Sequence, residues 1–263
     1  MRAADARRWA LGAYATLVFA FLLLPVVVIM MAAFSATSYL TVPPKGLTLR
    51  WFGEVLGNRE YVDAIVFSLI LAVASALGSL GVGVAASYAL IRRAVPGASL
   101  VSGILMAPLV FPGIVIGVAS LQFYSLVGMS GSFASLMLAH MVITVPYVVR
   151  AVLASLAGVD VDLENAARVL GANQWTAFAK VTLPLIRPGV AAGALFSFIT
   201  SFDNVPVSIF ILGVRQMTIP VKIFTMIEYG VDPSVAALST LMIIVTALVL
   251  IVAERWIGFH RFV

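Results

Sequence analysis

Six long apolar runs decide what this chain can fold into. They lie at residues 9–34, 62–91, 100–127, 133–156, 188–212 and 235–257. A helix rises about 1.5 Å per residue and a bilayer's hydrocarbon core is about 30 Å thick, so roughly 20 apolar residues cross it. Every run reaches that length. Too little polar sequence remains between them for a water-facing domain: 62% of the 263 residues are hydrophobic and 10% charged, where a soluble domain carries about a quarter charged residues. The expected fold class is all-α, a polytopic membrane protein with six transmembrane helices. A soluble enzyme is excluded. The first run follows Arg7 and Arg8 as a signal peptide would, but it is longer than a signal's apolar region and no A-x-A site follows it. It reads as a retained helix, bent at Pro25.

Basic residues orient the runs. With the amino terminus inside, Arg2, Arg7, Arg8, Arg92, Arg93, Arg150, Arg168, Lys180, Arg187, Arg255 and Arg261 face the cytoplasm. Lys45, Arg50, Arg59, Arg215 and Lys222 face outward. Eleven against five places both termini in the cytoplasm. The net charge of +5 follows from this asymmetry, and no nucleic-acid partner is expected. The chain has no cysteine, which removes disulfides and thiolate chemistry. His140 and His260 are far apart and form no ligand spacing, so no metal site is expected. No G-x-x-x-x-G-K-[ST] phosphate loop occurs, and no cofactor bound by this chain is expected.

Two runs have texture. Ser75, Ser79, Gly83 and Ser87 fall at every fourth position of the second, a stripe that lets another helix come close. The third contains Pro108, Pro112, Gly113 and Gly117, so its backbone is expected to be irregular. Such backbone survives at membrane depth only against protein or a wet cavity, and both readings stay open here. The outer loop 35–61 holds Pro43-Pro44-Lys45-Gly46; the inner segment 157–187 is too long and too patterned for a linker.

That inner segment reads as a helix, a turn and a second helix. Leu163, Ala167 and Leu170 share a face, and Asp160, Asp162 and Glu164 crowd the amino end, where the helix dipole favours acids. Gly171 is free to adopt positive φ and end the first helix. The second passes through Trp175, Phe178 and Val181 until Pro184 and Pro188 stop it.

Glu164-Asn165-Ala166-Ala167, then Gly171-Ala172, Phe178, Val181, Leu183 and Pro184 resemble the coupling loop of ATP-binding-cassette importer permeases, written E-A-A-x-x-x-G-x9-I-x-L-P. The motif's glutamate position is occupied by Asn165, with Glu164 just before it. Ser201-Phe202-Asp203-Asn204-Val205-Pro206, Ile219-Pro220-Val221-Lys222 and Asp232-Pro233-Ser234 resemble the carboxy-terminal half of spermidine/putrescine-type permeases. The resemblance implies a type I importer permease with a core over 62–255, a first helix and outer loop over 1–61, and a tail at 256–263. It also implies two permease subunits, here a heterodimer, two cytoplasmic ATPases that hold ATP and Mg, and an extracytoplasmic solute-binding protein. The solute would be a polyamine; another amine or thiamine-like cation, ferric iron or an organic acid is the nearest alternative. A secondary transporter would be expected to show inverted repeats, and none is apparent.

Polar residues within the runs are candidates for the solute pathway. Asp203 lies about 14 residues, hence about 21 Å, above the inner end of its run. A carboxylate at that depth is costly unless it meets water or a partner. It either attracts a cationic solute or caps a broken helix. Asn204 stands where the resembling permeases commonly carry a second acid. Phe202, Gln122 and Tyr124 complete the set, the last two also suiting an interfacial role. His140 reads as a hydrogen-bonded packing residue.

Overall fold

The computed structural model describes residues 2–39, 41–92, 96–214, 216–230 and 232–257. Arg93, Arg215, His260 and Arg261 lie outside them. Among the described residues the regular structure is helical, apart from one isolated bridge between Ser35 and Leu47. Four helices are long and apolar enough to cross a membrane: Arg7–Ala33, Arg59–Arg92, Phe133–Ala157 and Pro233–Arg255. Two bent pairs raise the number to six if each counts as one span: Ala98–Leu109 with Gly113–Leu126 at 105°, and Gln174–Leu185 with Arg187–Phe202 at 74°.

In chain order the helices are α1 (Arg2–Ala33), α2 (Arg50–Gly57), α3 (Arg59–Arg92), α4 (Ala98–Met106), α5 (Gly113–Leu126), α6 (Phe133–Ala157), α7 (Val161–Val169), α8 (Gln174–Ala177), α9 (Leu183–Leu185), α10 (Arg187–Phe202), α11 (Ser208–Ile211), α12 (Ile219–Tyr229) and α13 (Pro233–Ile257). α1 continues through Pro25 without a break in its helical assignment. The fifth apolar run is not one helix. α10 stops at Phe202, irregular backbone follows, and α11 occupies the run's end. α2 and α12 were not anticipated. α2 is short but amphipathic, with Trp51 and Val55 buried on one face.

The chain divides into two compact units, Met1–Val62 with Ile223–Ile244, and Asp63–Lys222 with Val245–Val263. In the first, the Trp51 indole donates to the Ser35 carbonyl at 2.8 Å, and Phe34 meets Phe52 with ring centroids 5.1 Å apart.

In the second unit α6 is gripped from two sides. The small-residue stripe of α3 lies along one of them: a Cβ on Gly83 would stand 2.6 Å from Val148 Cγ1. Ser79 Oγ meets Thr144 Oγ1 at 2.7 Å, and Ser87 Oγ donates to the Gly83 carbonyl at 2.7 Å. α10 carries a second stripe with the same spacing, Gly189, Gly193, Ser197 and Ser201. A Cβ on Gly193 would lie 3.0 Å from Val148 Cα, and one on Gly189 2.7 Å from the Ala151 carbonyl. Apolar burial drives little association between helices already in lipid; close packing and hydrogen bonds across small residues do it instead. Val148, Val152, Leu156 and Ile186 fill the inner core of this unit.

The two broken runs pack on each other. α4 and α5 part at Val110–Pro112, and Gly117 of α5 receives the irregular backbone beyond α10. A Cβ there would lie 2.7 Å from both the Pro206 carbonyl and the Phe210 ring. The expected irregularity of the third run is therefore present, and its two glycines accommodate a second irregular segment.

Candidate functional site

The segment 157–187 has the expected helix-turn-helix outline, except that the second helical stretch runs through Pro184 to Leu185. Asp160 caps α7, its carboxylate accepting from the Asp162 amide at 2.9 Å. Gly171 takes φ +93°, and the Gly171 and Ala172 amides donate to the Arg168 and Ala167 carbonyls at 2.9 and 3.0 Å. Only glycine enters that backbone region freely. Asn173 caps α8 through Thr176 at 2.8 Å. A feature the sequence did not disclose follows: residues Phe178–Thr182 form a π-helical turn between α8 and α9.

Glu164 is the centre of this site. It is 2% exposed. Its carboxylate accepts from Arg92 Nε at 3.1 Å, Tyr88 Oη at 2.9 Å and Thr182 Oγ1 at 2.5 Å. Arg92 also donates to the Val159 carbonyl at 2.8 Å. Phe178 packs edge-on against Tyr88 at 4.9 Å. One carboxylate thus joins the carboxy-terminal end of α3 to both halves of the segment 157–187. Burial alone would raise its pKa; the hydrogen bonds from Thr182 and Tyr88 and the charge of Arg92 outweigh burial and hold it below the ordinary carboxylate value. Tyr88, Arg92 and Thr182 were not singled out from sequence.

The other segment residues divide by exposure. Asn165, at the motif's glutamate position, is exposed and donates to Asp162 at 3.3 Å. Ala166 is exposed, while Ala167, Ala172, Phe178, Leu183 and Pro184 are half-buried. Val169 and Leu170 are each 88% exposed and Trp175 78%. These apolar side chains stand outward on the surface segment without packing into their own chain.

The pathway candidates are not all on a surface. Phe202 is 2% exposed and stacks on Phe198 at 5.5 Å. Tyr124 is buried with Leu136, Val207 and Ile211. Asn204 is half-buried, its side-chain oxygen accepting from the Val207 amide at 2.9 Å just before α11. Gln122 is exposed. Asp203 is also exposed, and among the described residues its carboxylate has no hydrogen-bond or ion-pair partner. It stands at the carboxy-terminal end of α10, where the helix dipole is negative and disfavours an anion. His140, fully buried, bridges Ser201 Oγ at 2.7 Å and Ser208 Oγ at 2.9 Å.

Comparison with known proteins places these features in one context. Residues 1–260 match the family model described as binding-protein-dependent transport system inner membrane component. The chain is 34% identical over 247 residues to the spermidine/putrescine transport system permease protein PotC of Escherichia coli (strain K12), covering 94% of this chain and 93% of that one. It is 30% identical over 232 residues to the putrescine transport system permease protein PotI of the same strain, covering 86% and 82%. A crystal structure of a bacterial ABC transporter involved in alginate import shares the fold, with a TM-score of 0.76, 18% identity and coverage of 96% and 97%. The chain belongs to the binding-protein-dependent transport system inner membrane components, as a multi-pass permease of the type I ATP-binding-cassette importers.

Proposed function

We propose that this permease forms half of the solute pathway of an ATP-driven importer of polyamines, paired with a second, different permease subunit. Two cytoplasmic ATPases would seat on the segment 157–187, and an extracytoplasmic binding protein would deliver the solute. Both chain termini would lie inside. The observation that carries the coupling part is the clamp on Glu164: the segment presents Val169, Leu170 and Trp175 outward while its base is tied to α3 through Arg92. The polyamine part rests on the likeness to PotC and PotI and on the unpartnered carboxylate of Asp203. ATP and Mg2+ belong to the ATPases; this chain only transmits their motion.

The transmission follows from packing. A pull on α7 and α8 reaches α3 through Glu164 without bending a flexible linker. α3 is locked to α6 by its stripe, and α6 to α10 by the other, so the three would move as one body. The motion then arrives at the break beyond Phe202, where Asp203 would meet a cation.

The test is reconstitution of the assembled transporter in liposomes with its ATPase and binding protein. ATP-dependent uptake of radiolabelled putrescine or spermidine is expected. Stimulation of ATP hydrolysis by a binding protein loaded with some other solute, and not with a polyamine, would overturn the solute assignment. Topology is checked in the naturally cysteine-free chain: Asn173→Cys is expected to react only with reagents that reach the cytoplasm.

A further inference from the structure

We propose that His140 is a positioning residue that sets the place of Asp203 in the solute pathway; the inference rests on the function proposed above. The ring of His140 lies between the two elements that flank the break. Nδ1 is 2.7 Å from Ser201 Oγ, in the last turn of α10. Nε2 is 2.9 Å from Ser208 Oγ, the first residue of α11. The Ser208 hydroxyl spends its one proton on the Asn204 carbonyl at 2.8 Å, so it accepts from the ring. Nε2 therefore carries the proton, and Nδ1 accepts from Ser201. One directed chain results: Ser201 to His140 to Ser208 to Asn204. Hydrogen bonds aligned in this way reinforce one another.

The segment spanned by the ring, 202–207, contains Asp203. It is fixed at each end by a serine and in the middle by the Asn204 carbonyl. The histidine itself is held from below. Thr144 Oγ1 donates to the His140 carbonyl at 2.8 Å and meets Ser79 at 2.7 Å, while Ser197 donates to the Thr144 carbonyl at 3.2 Å. The imidazole is thus mounted on the α3–α6–α10 body and reaches across to a short helix outside it. A packing role would need an apolar ring of similar size. Two hydrogen bonds to hydroxyls on either side of a break are what positioning needs.

The test uses the full chain in its assembled transporter, with Asp203→Cys as a reporter and a trimethylammonium methanethiosulfonate as probe. His140→Gln can retain the bond at the Nε2 position; His140→Asn retains the one at Nδ1 and loses Ser208. His140→Asn is expected to change the labelling rate at position 203 by about fivefold, the factor one hydrogen bond is worth, and His140→Ala, which removes both bonds, by at least as much. His140→Gln should restore most of it, and labelling at a Val127→Cys control should not move. Labelling at 203 that ignores residue 140, or that changes equally at 127, overturns the proposal. Should His140→Ala fail to assemble, Ser208→Ala removes the same link without a cavity and carries the same expectation. Spermidine uptake by Asp203→Asn separates this inference from the reading beneath it. If that variant transports normally while His140 still controls labelling, the positioning stands and the cation site falls. If Asp203→Asn is impaired and labelling is indifferent to residue 140, the positioning falls alone.

Discussion

Arg92 Nε donates to Glu164 Oε1 at 3.1 Å across 72 residues of sequence, with side chains only 10% and 2% exposed. The pair fastens the carboxy-terminal end of α3 to the segment that would meet the ATPase. Removing one partner of a buried pair costs about 3–5 kcal/mol, because the other charge is left uncompensated. Arg92 keeps its bond to the Val159 carbonyl, so the lower end of that range applies to Glu164→Ala. Trypsin cleavage at the exposed Arg168 and Lys180 should then accelerate more than tenfold. Glu164→Gln, which preserves shape, should lie between. Cleavage rates equal to wild type would show that the segment is held by something else.

The same carboxylate sets a pH dependence. Its pKa is lowered in the folded chain, so the unfolded chain binds the proton more readily. The stabilisation is complete above the ordinary carboxylate value, about 4.3 for Glu, and is lost as pH falls through the lowered one. A solvatochromic dye on Asn173→Cys should report release of the segment only below the ordinary carboxylate range. With Glu164→Gln that transition should vanish.

Gly171 separates backbone strain from steric fit. Nothing lies within 4 Å of a Cβ built there, so the chain itself has room for a side chain. The φ of +93° costs an L residue about 1–2 kcal/mol. Gly171→Ala should loosen the turn by that amount in a proteolysis assay of the isolated permease. If ATPase association falls much further than this, the added methyl meets the partner. Equal losses in both assays would leave the turn a purely internal feature.

Close approach of α3 and α6 is tested by a size swap. Gly83→Ala forces a methyl to 2.6 Å from Val148 Cγ1 and should destabilise by about 1–3 kcal/mol, as overpacking does. Val148→Ala in the same chain should recover part of that loss. Two substitutions that simply add, measured by thermal aggregation in detergent, would mean that the helices do not meet there.

Much of this was legible in the sequence, for identifiable reasons. The apolar runs and the Ser75–Ser87 stripe are local patterns with fixed periods, and Gly171 announces its turn because few residues tolerate positive φ. The second stripe, Gly189 to Ser201, obeys the same period and was equally readable. The break at Asp203 was legible only as one of two readings, a capped broken helix, because an apolar run has the same composition whether its helix continues or stops; Pro206 and Asn204 were the further signals. The role of Glu164 depends on Tyr88, Arg92 and Thr182, which lie 76, 72 and 18 residues away. No local pattern connects them. The motif drew attention to Asn165, whereas the buried acid stands one residue earlier.

Asp203 carries the remaining prediction. Its exposure allows water to screen it, so its contribution is smaller than that of a buried ion pair. Exposed pairs are worth about 1 kcal/mol or less, roughly fivefold in affinity. The negative end of α10 adds to the attraction for a cation at the same point. Asp203→Asn keeps the side chain's size while deleting the charge. At low ionic strength it should reduce polyamine uptake by a factor of about five, at equal amounts of assembled transporter. Salt distinguishes charge from shape. The Debye length falls from about 30 Å at 0.01 M to about 3 Å at 1 M, so the ratio of wild-type to variant uptake should shrink toward one as salt rises. A ratio that stays constant would mean that the carboxylate acts through geometry. A ratio of one at every ionic strength would remove Asp203 from the pathway and leave the polyamine assignment resting on PotC and PotI alone.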